Sequence, residues 1–185
     1  MNMLTIVGSA YHYFERKKRW RYIRGLQAKG LHLGKGVDII DQCFIDPSHC
    51  FLISIGDNCT ICPNVRLIAH DASTKKPLGY TKLGRIDIKA HCFIGDSVIV
   101  LPGVTIGPYS IVGAGSVVTR DIPPRTVAAG NPAKALSSVE DYINKIKAIS
   151  SGKTIFTEDY FIENLDDKKR RELIQSIGET IGFIV

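Results

Sequence analysis

A six-residue period governs the middle of this sequence. From residue 33 onward an aliphatic residue opens each sextet, and a small or apolar residue follows four places later. This period is neither the 3.6-residue repeat of an amphipathic helix nor the two-residue alternation of a long strand. It fits a short strand followed by a tight turn, with two inward side chains per sextet. The sextets open at Leu33, Ile39, Ile45, Ile55, Ile61, Leu67, Ile88, Ile94, Val100, Ile106, Val112 and Val118.

A chain with this period buries its inward side chains only when successive turns stack on one another. Three sextets close one triangular coil, so the twelve sextets predict a mainly β fold, a parallel β-helix of about four coils over residues 31–136. Helical segments flank it. We expect a basic amphipathic helix over 11–26, within an N-terminal arm of residues 1–30, and helices near 138–149 and 166–177, within a C-terminal extension of residues 137–185.

Two insertions interrupt the period and predict where a site lies. The first adds four residues near 47–52, and the second adds fifteen, at 71–85. Long loops that leave a rigid scaffold tend to carry function. Stacking by threes places the sextet of Leu67 over that of Ile45 and under that of Val100. His70 then stands at a turn between the two loops, in register with Ser48 and Gly103, which makes it a candidate site residue.

Composition narrows the class of protein. Five cysteines without framework spacing indicate a reducing, cytoplasmic environment. Cys59 and Cys62 form a C-x-x-C without a second such pair, so we interpret them as core packing. No stretch reaches the roughly 20 apolar residues of a membrane span, and the first residues lack the order of a signal peptide.

The positive charge of the chain comes from its N-terminal arm. The chain has 24 Lys and Arg against 18 acidic residues, and residues 11–30 hold seven of the basic groups and one acid. A basic face on the folded domain is therefore not expected, and nucleic acid is not a predicted partner. Two interpretations of the arm stay open: peripheral contact with anionic lipid at the inner membrane, or a helix that packs Trp20 and Tyr22 against the end of an oligomer.

The C-terminal half of the repeat carries a specific pattern. The sequence reads LPGVTIG from residue 101, GAGSVVT from 113, DIPP from 121 and AAGNPA from 128. With PNVRLIAH before the long loop, this stretch resembles the galactoside, maltose and xenobiotic branch of the hexapeptide-repeat acetyltransferases. The resemblance implies a left-handed β-helix, acetyl-CoA as co-substrate, and a homotrimer with active sites between subunits.

The same resemblance implies that His70 is the general base. An imidazole titrates near neutral pH and can take the proton of a hydroxyl as that hydroxyl attacks a thioester. Asp71 is adjacent and is expected either to orient His70 or contact the acceptor, or else to cap the loop.

The acceptor side departs from the galactoside branch. Members of that branch carry Asn and Asp against the sugar, whereas this chain shows Gln42 and the stretch 46–50. Asp46, Ser48 and His49 are therefore candidates either to orient His70 or to contact the acceptor. Tyr80, the only aromatic residue of the long loop, is a further one.

The donor side follows the family more closely. By family position Ala114 faces the pantetheine, Thr119 and Arg120 lie near the adenine and ribose, and Lys134 meets a phosphate. The alternative for Arg120 and Lys134 is ordinary surface charge. The resemblance also suggests backbone N–H groups around Gly95 and Asp96 of a neighbouring subunit as donors to the oxyanion.

These observations predict an acetyl-CoA-dependent O-acetyltransferase that acts on a sugar or a surface-polysaccharide precursor. The alternatives are a sugar-nucleotide N-acetyltransferase, an antibiotic-modifying acetyltransferase and a non-catalytic scaffold. β-Helical carbonic anhydrases need three histidine ligands, two of them five residues apart. Here Ile86 and Asp96 stand five residues from His91, so no metal is expected.

Overall fold

A strand of two or three residues ends at each sextet opener in the computed structural model, which describes residues 17–185. The first part of the predicted N-terminal helix lies outside the described residues. The strands of the repeat region are β1 (His32–Leu33), β2 (Asp38–Ile39), β3 (Phe44–Ile45), β4 (Ile53–Ile55), β5 (Thr60–Ile61), β6 (Arg66–Leu67), β7 (His70–Asp71), β8 (Lys82–Leu83), β9 (Ile86–Ile88), β10 (Phe93–Ile94), β11 (Ile99–Val100), β12 (Thr105–Ile106), β13 (Ile111–Val112) and β14 (Val117–Val118).

Three parallel sheets form the faces of the repeat. The first sheet has the order β1-β4-β9-β12, the second contains β2-β5-β10-β13, and the third has the order β3-β6-β11-β14. Leu67 pairs with Ile45 on one side and with Val100 on the other, as the count of three sextets per coil predicts. The chain therefore winds as a three-faced parallel β-helix. Its left-handed sense stays a prediction.

The sextet openers fill the interior. Ile45, Ile55, Ile61, Leu67 and Ile94 have no exposed surface. The fifth positions of the sextets fill the remaining space with smaller side chains, which include Cys59, Val65, Val98, Ser110 and Ser116. The two buried serines are hydrogen-bonded, because their hydroxyls donate to the carbonyls of Pro123 and Gly113.

An antiparallel strand ends the β-helix, which the six-residue period does not predict. Strand β15 (Thr126–Ala129) stacks in parallel on β13, and β16 (Lys134–Ser138) then pairs antiparallel with β15. The cis peptide Asn131–Pro132 lies between these two strands.

The N-terminal helix, α1 (17–27), covers the other end of the core. Ile23 and Leu26 are buried in the main core cluster, and Trp20 packs against it. The Tyr22 hydroxyl donates to the carbonyl of Ile45 at 3.1 Å. The apolar side of α1 is thus used within this chain, so its described part acts as a cap on the first coil. Contact with lipid stays a prediction that concerns its outward, basic side.

The long insertion folds as a hairpin that projects from the β-helix. Strands β7 and β8 pair antiparallel, with His70 opposite Leu83 and Asp71 opposite Lys82. A 3₁₀ turn (Ala72–Thr74) and helix α2 (Lys75–Leu78) connect them. Most of these residues are exposed. Gly84 brings the chain back against the next coil, where a Cβ atom would lie 2.4 Å from the Gly103 nitrogen.

The chain divides into two compact units between Val139 and Glu140, close to the predicted start of the extension. The C-terminal part contains α3 (Val139–Ser150), β17 (Ile155–Phe156), α4 (Asp167–Ile177) and β18 (Phe183–Ile184), with β17 and β18 paired in parallel. The Asp166 side chain caps α4 by accepting from the backbone of Lys169. None of the helices in residues 17–185 has the length and apolar character needed to cross a bilayer.

The stacked core predicts a sharp contrast between neighbouring residues of β5. Ile61→Ala removes a fully buried side chain and should lower the free energy of unfolding by about 2–5 kcal/mol. Thr60→Ala changes the outward side chain of the same strand and should cost less than about 1 kcal/mol. Urea denaturation followed by circular dichroism measures both values. Equal losses would contradict the inward and outward assignment of this strand.

Candidate functional site

A buried carboxylate holds the imidazole of His70. Nδ1 of His70 lies 2.5 Å from Oδ2 of Asp46, although the two residues are 24 positions apart in the chain. Asp46 directly follows β3 and His70 lies three residues beyond β6, and these strands pair in register. Stacking of adjacent coils therefore creates the contact.

Backbone amides fix the Asp46 carboxylate in place. Oδ1 accepts from the N–H groups of Ser48 and His49, at 3.1 and 3.3 Å, and Oδ2 accepts from that of Ala69 at 3.2 Å. The first insertion supplies two of these amides, because its turn curls back over the Asp46 side chain. The residue itself has no exposed surface.

The environment of Asp46 determines which nitrogen of His70 can act as a base. Burial alone would raise the pKa of Asp46, but the hydrogen bonds from His70 and from the Ser48 amide outweigh it and hold that pKa below its usual range. An ionised carboxylate only accepts hydrogen bonds, so Nδ1 of His70 must be the donor. In the neutral ring Nε2 then carries the free lone pair, on a side chain that is 35% exposed.

A second imidazole lies beside the first. The rings of His49 and His70 have their centroids 4.9 Å apart. Nδ1 of His49 is 3.8 Å from Oδ2 of Asp46, beyond hydrogen-bond distance, and it is buried without a partner. Within residues 17–185, Asp46, His49 and His70 form the one group of potential metal ligands, with ligand atoms within 4.8 Å of one another. The spacing argument for metal sites did not anticipate this group.

Asp71 caps the hairpin and does not contact the imidazole. Its carboxylate accepts from the Ser73 amide at 3.0 Å and pairs with Nζ of Lys82 at 2.9 Å. These contacts, the Ser73 amide first, hold the pKa of Asp71 well below its usual range. Of the two predicted interpretations of Asp71, the structure therefore supports loop capping, and the orienting carboxylate is Asp46.

The remaining acceptor candidates contribute in different ways. Ser48 acts on His70 indirectly, because its backbone N–H donates a hydrogen bond to the Asp46 carboxylate that holds the imidazole. Tyr80 lies near the tip of the hairpin with 63% of its surface exposed, and its carbonyl accepts from the Thr74 hydroxyl. Tyr80 is thus positioned by the hairpin rather than by the β-helix.

The residues predicted to bind acetyl-CoA lie at two different corners of the triangular coil. Asp96 and Ala114 follow strands of the second sheet and stack on each other, since the Gly115 amide donates to the Asp96 carbonyl at 2.8 Å. Lys134 lies opposite Ala129 at the same end of that sheet.

Thr119 and Arg120 instead follow β14 of the third sheet. They extend the stack in which His70 follows β6, with one coil between them. Ala114, Thr119, Arg120 and Lys134 are all exposed. Within a single chain, His70 therefore lies at the same corner as two of the predicted acetyl-CoA-binding residues, Thr119 and Arg120. The others lie at a different corner.

The backbone of Gly95 cannot serve as the expected oxyanion donor. Its N–H donates to the Val112 carbonyl at 2.8 Å, as part of the hydrogen bonding between coils. The prediction for that amide is wrong, because the N–H group is already used in the hydrogen bonding that joins adjacent coils. The Asp96 side chain accepts from the Ser97 hydroxyl at 2.6 Å and from Asn64 at 3.4 Å.

The cysteines behave as core residues. All five are free thiols, four of them buried. Cys59 donates to the Lys89 carbonyl at 3.0 Å and accepts from the Cys92 amide, so its partner belongs to the adjacent coil and not to the C-x-x-C. Burial raises the pKa of Cys62. This arrangement supports packing rather than metal binding for Cys59 and Cys62.

Similarity to known proteins covers the repeat region. Residues 85–120 match the family model described as bacterial transferase hexapeptide (six repeats). The chain is 42% identical over 94 residues to the galactoside O-acetyltransferase of Escherichia coli K12, a match that covers 49% of this chain and 46% of that enzyme. The chain spans between about a third and about half of the length of the curated relatives it matches.

Two solved structures extend this similarity. A hexapeptide-repeat acetyltransferase of Vibrio cholerae O1 biovar eltor, solved with acetyl coenzyme A, is 30% identical. The match covers 65% of this chain and 77% of that one, with a TM-score of 0.48. A maltose O-acetyltransferase of Clostridium difficile 630 is also 30% identical, with 61% and 72% of the two chains covered and a TM-score of 0.44.

Because three backbone amides donate to the Asp46 carboxylate, we expect Asp46 to contribute to stability as well as to the position of His70. Asp46→Ala leaves three N–H groups without their acceptor, the buried one of Ala69 and the partly buried ones of Ser48 and His49, and a buried group left unsatisfied costs roughly 1–3 kcal/mol. The variant should therefore lose at least about 1 kcal/mol of unfolding free energy. Asp46→Asn retains an oxygen for these amides and should lose less. Urea denaturation of both variants measures these losses. An Asp46→Ala protein as stable as the parent would contradict a stabilising role for the hydrogen bonds between Asp46 and the three amides.

Proposed function

We propose that this chain, which belongs to the hexapeptide-repeat acetyltransferase family, transfers an acetyl group from acetyl-CoA to a hydroxyl of a sugar or a surface-polysaccharide precursor. The observation that carries the proposal is the hydrogen bond between Asp46 and His70, which leaves Nε2 free as a base. The names of the galactoside and maltose O-acetyltransferases to which the chain is similar support an acceptor hydroxyl on a sugar.

His70 supplies general-base catalysis in this proposal. Nε2 takes the proton of the acceptor hydroxyl while the hydroxyl oxygen attacks the thioester carbonyl, and a tetrahedral oxyanion forms. The oxyanion collapses with cleavage of the carbon–sulfur bond, and the imidazolium returns its proton to the departing coenzyme A sulfur. General-base assistance of this kind typically contributes roughly 10²–10⁴-fold.

Asp46 acts as a positioning residue. Its ionised carboxylate fixes the Nδ1–H tautomer of His70 and compensates the positive charge that the ring gains during transfer. Because three amides hold the carboxylate, the pair needs little reorganisation when that charge develops.

Transfer is proposed to be direct, without an acyl-enzyme. A cysteine nucleophile would need an accessible thiolate near His70, whereas burial raises the pKa of Cys43 to about 11 and also raises that of Cys62. The hydrogen bond with Cys92 lowers the pKa of Cys59 to about 7, but Cys59 has no exposed surface. The hydroxyl and the thioester therefore have to meet in one ternary complex.

The predicted acetyl-CoA-binding residues lie at two corners of the coil, and this separation supports a site shared between subunits of a homotrimer. His70, Thr119 and Arg120 would come from one subunit and Ala114, Asp96 and Lys134 from the next. Ala114 leaves room for the slender pantetheine arm, and the exposed cations Arg120 and Lys134 suit the phosphates of coenzyme A. The hairpin beside His70, with Asp71 and Tyr80, would border the acceptor.

The central prediction is that His70→Ala lowers kcat/KM for acetyl transfer by at least about 10². Asp46→Asn should lower it by at least about tenfold, because the carboxamide no longer enforces the Nδ1–H tautomer. Release of coenzyme A thiol reports the rate, with pairs of hydroxy and amino sugars as acceptors. His91→Ala, on a turn remote from the pair, is the matched control.

Calorimetric titration with acetyl-CoA separates binding from chemistry in these variants. The expected result is unchanged acetyl-CoA affinity in His70→Ala together with lost transfer. An active His70→Ala enzyme would remove His70 from the mechanism, and preference for the amino sugar would replace O-acetylation by N-acetylation.

A further inference from the structure

We infer that Asp46, His49 and His70 form a binding site for Zn²⁺ that, when occupied, blocks acetyl transfer. The three side chains offer one carboxylate oxygen and two imidazole nitrogens, with ligand atoms within 4.8 Å of one another. This donor set suits Zn²⁺, which binds histidine and carboxylate ligands and in three-ligand sites keeps a fourth position for water. The part of the inference that concerns inhibition rests on the proposed function.

The observed distances are close to those a zinc ion requires. Tetrahedral ligands at about 2.0–2.2 Å from zinc are separated by about 3.3 Å. Oδ2 of Asp46 is now 2.5 Å from Nδ1 of His70 and 3.8 Å from Nδ1 of His49. The first separation must widen and the second must shorten, each by less than about 1 Å. The two imidazole nitrogens, which lie within 4.8 Å of each other, must also approach to about 3.3 Å, so the histidine side chains have to rotate on binding.

The surroundings favour a pre-organised site. Hydrogen bonds from ligand groups to the backbone fix the orientation of metal ligands, and Asp46 already has three such bonds, from Ser48, His49 and Ala69. Nδ1 of His49 is buried without a partner, so a metal would satisfy it. The side chains of His49 and His70 are 26% and 35% exposed, which gives an ion access from solvent.

Occupancy would remove the base through the tautomer of His70. Coordination by Nδ1 replaces the proton that this nitrogen shares with Asp46. The neutral ring must then carry its proton on Nε2, the nitrogen that accepts the acceptor's proton in the proposed reaction. The metal therefore competes with the proton on Nδ1, and no redox change or covalent step is involved.

The binding test uses untagged full-length protein and two metal probes. Competition with a chromophoric chelator measures Zn²⁺ affinity and stoichiometry, and Co²⁺ reports ligand type through its visible bands. We expect one tight ion per chain and a Co²⁺ spectrum without thiolate charge transfer, which excludes the five cysteines as the source. His49→Gln should weaken affinity at least about tenfold, since loss of even an outer-shell partner costs roughly 10–100-fold.

The matched control is His91→Gln, because His91 stacks on Tyr109 and is not part of the site. That variant should keep parental affinity. Absence of binding in the parent, binding that survives His49→Gln unchanged, or a thiolate spectrum would each overturn the site.

The activity test separates this inference from the proposed function. Zn²⁺ should inhibit acetyl transfer by the parent, and His49→Gln should need at least about ten times more Zn²⁺ for half inhibition relative to its own uninhibited rate. If the parent binds one Zn²⁺ but transfers no acetyl group, the metal site stands and the proposed function fails. If the parent transfers acetyl groups and Zn²⁺ does not inhibit it, the inhibitory site fails and the proposed function stands.

Discussion

The hydrogen bond between Asp46 and His70 is the interaction on which the candidate site depends. It exists because β3 and β6 stack in register, which places residues from adjacent coils side by side. The amides of the first insertion then hold the carboxylate without solvent, and its low pKa keeps it an acceptor. Each of these conditions determines that Nε2 of His70, and not Nδ1, is the basic nitrogen.

The β-helix places chemical groups by the position of their turn rather than by their distance along the chain. Turns after strands of one sheet form one corner, so His70 shares a corner with Thr119 and Arg120, while Ala114 and Asp96 lie at another. A triangular solenoid cannot bring two of its own corners together. An assembly in which one subunit's corner faces another's is the economical way to complete a coenzyme A site, which is why we favour the homotrimer.

The sequence predicts the scaffold well, because the period reports burial directly. Each opener such as Ile61 or Leu67 must point inward, and stacking by threes follows from the triangular coil. His70 could also be found, since it stands next to a break in the period.

Details that depend on turn conformation could not be predicted. Asp46 was expected as one of several residues that orient His70 or contact the acceptor, and Ser48 as the residue in register with His70. In the structure, hydrogen bonds from turn amides hold the Asp46 side chain against the imidazole. The ladder bond of Gly95 and the antiparallel strand β16 likewise depend on hydrogen-bond partners that the period does not encode.

The most direct test of this account is the tautomer of His70. Isotope-edited NMR of the histidine ring nitrogens, with His70→Gln to assign the signals, reports which nitrogen carries the proton in the neutral ring. The account predicts a protonated Nδ1 and an unprotonated Nε2, and a change in that pattern in Asp46→Asn. A neutral His70 with its proton on Nε2 would contradict the role assigned to Asp46 and would leave the ring without a base directed toward the acceptor.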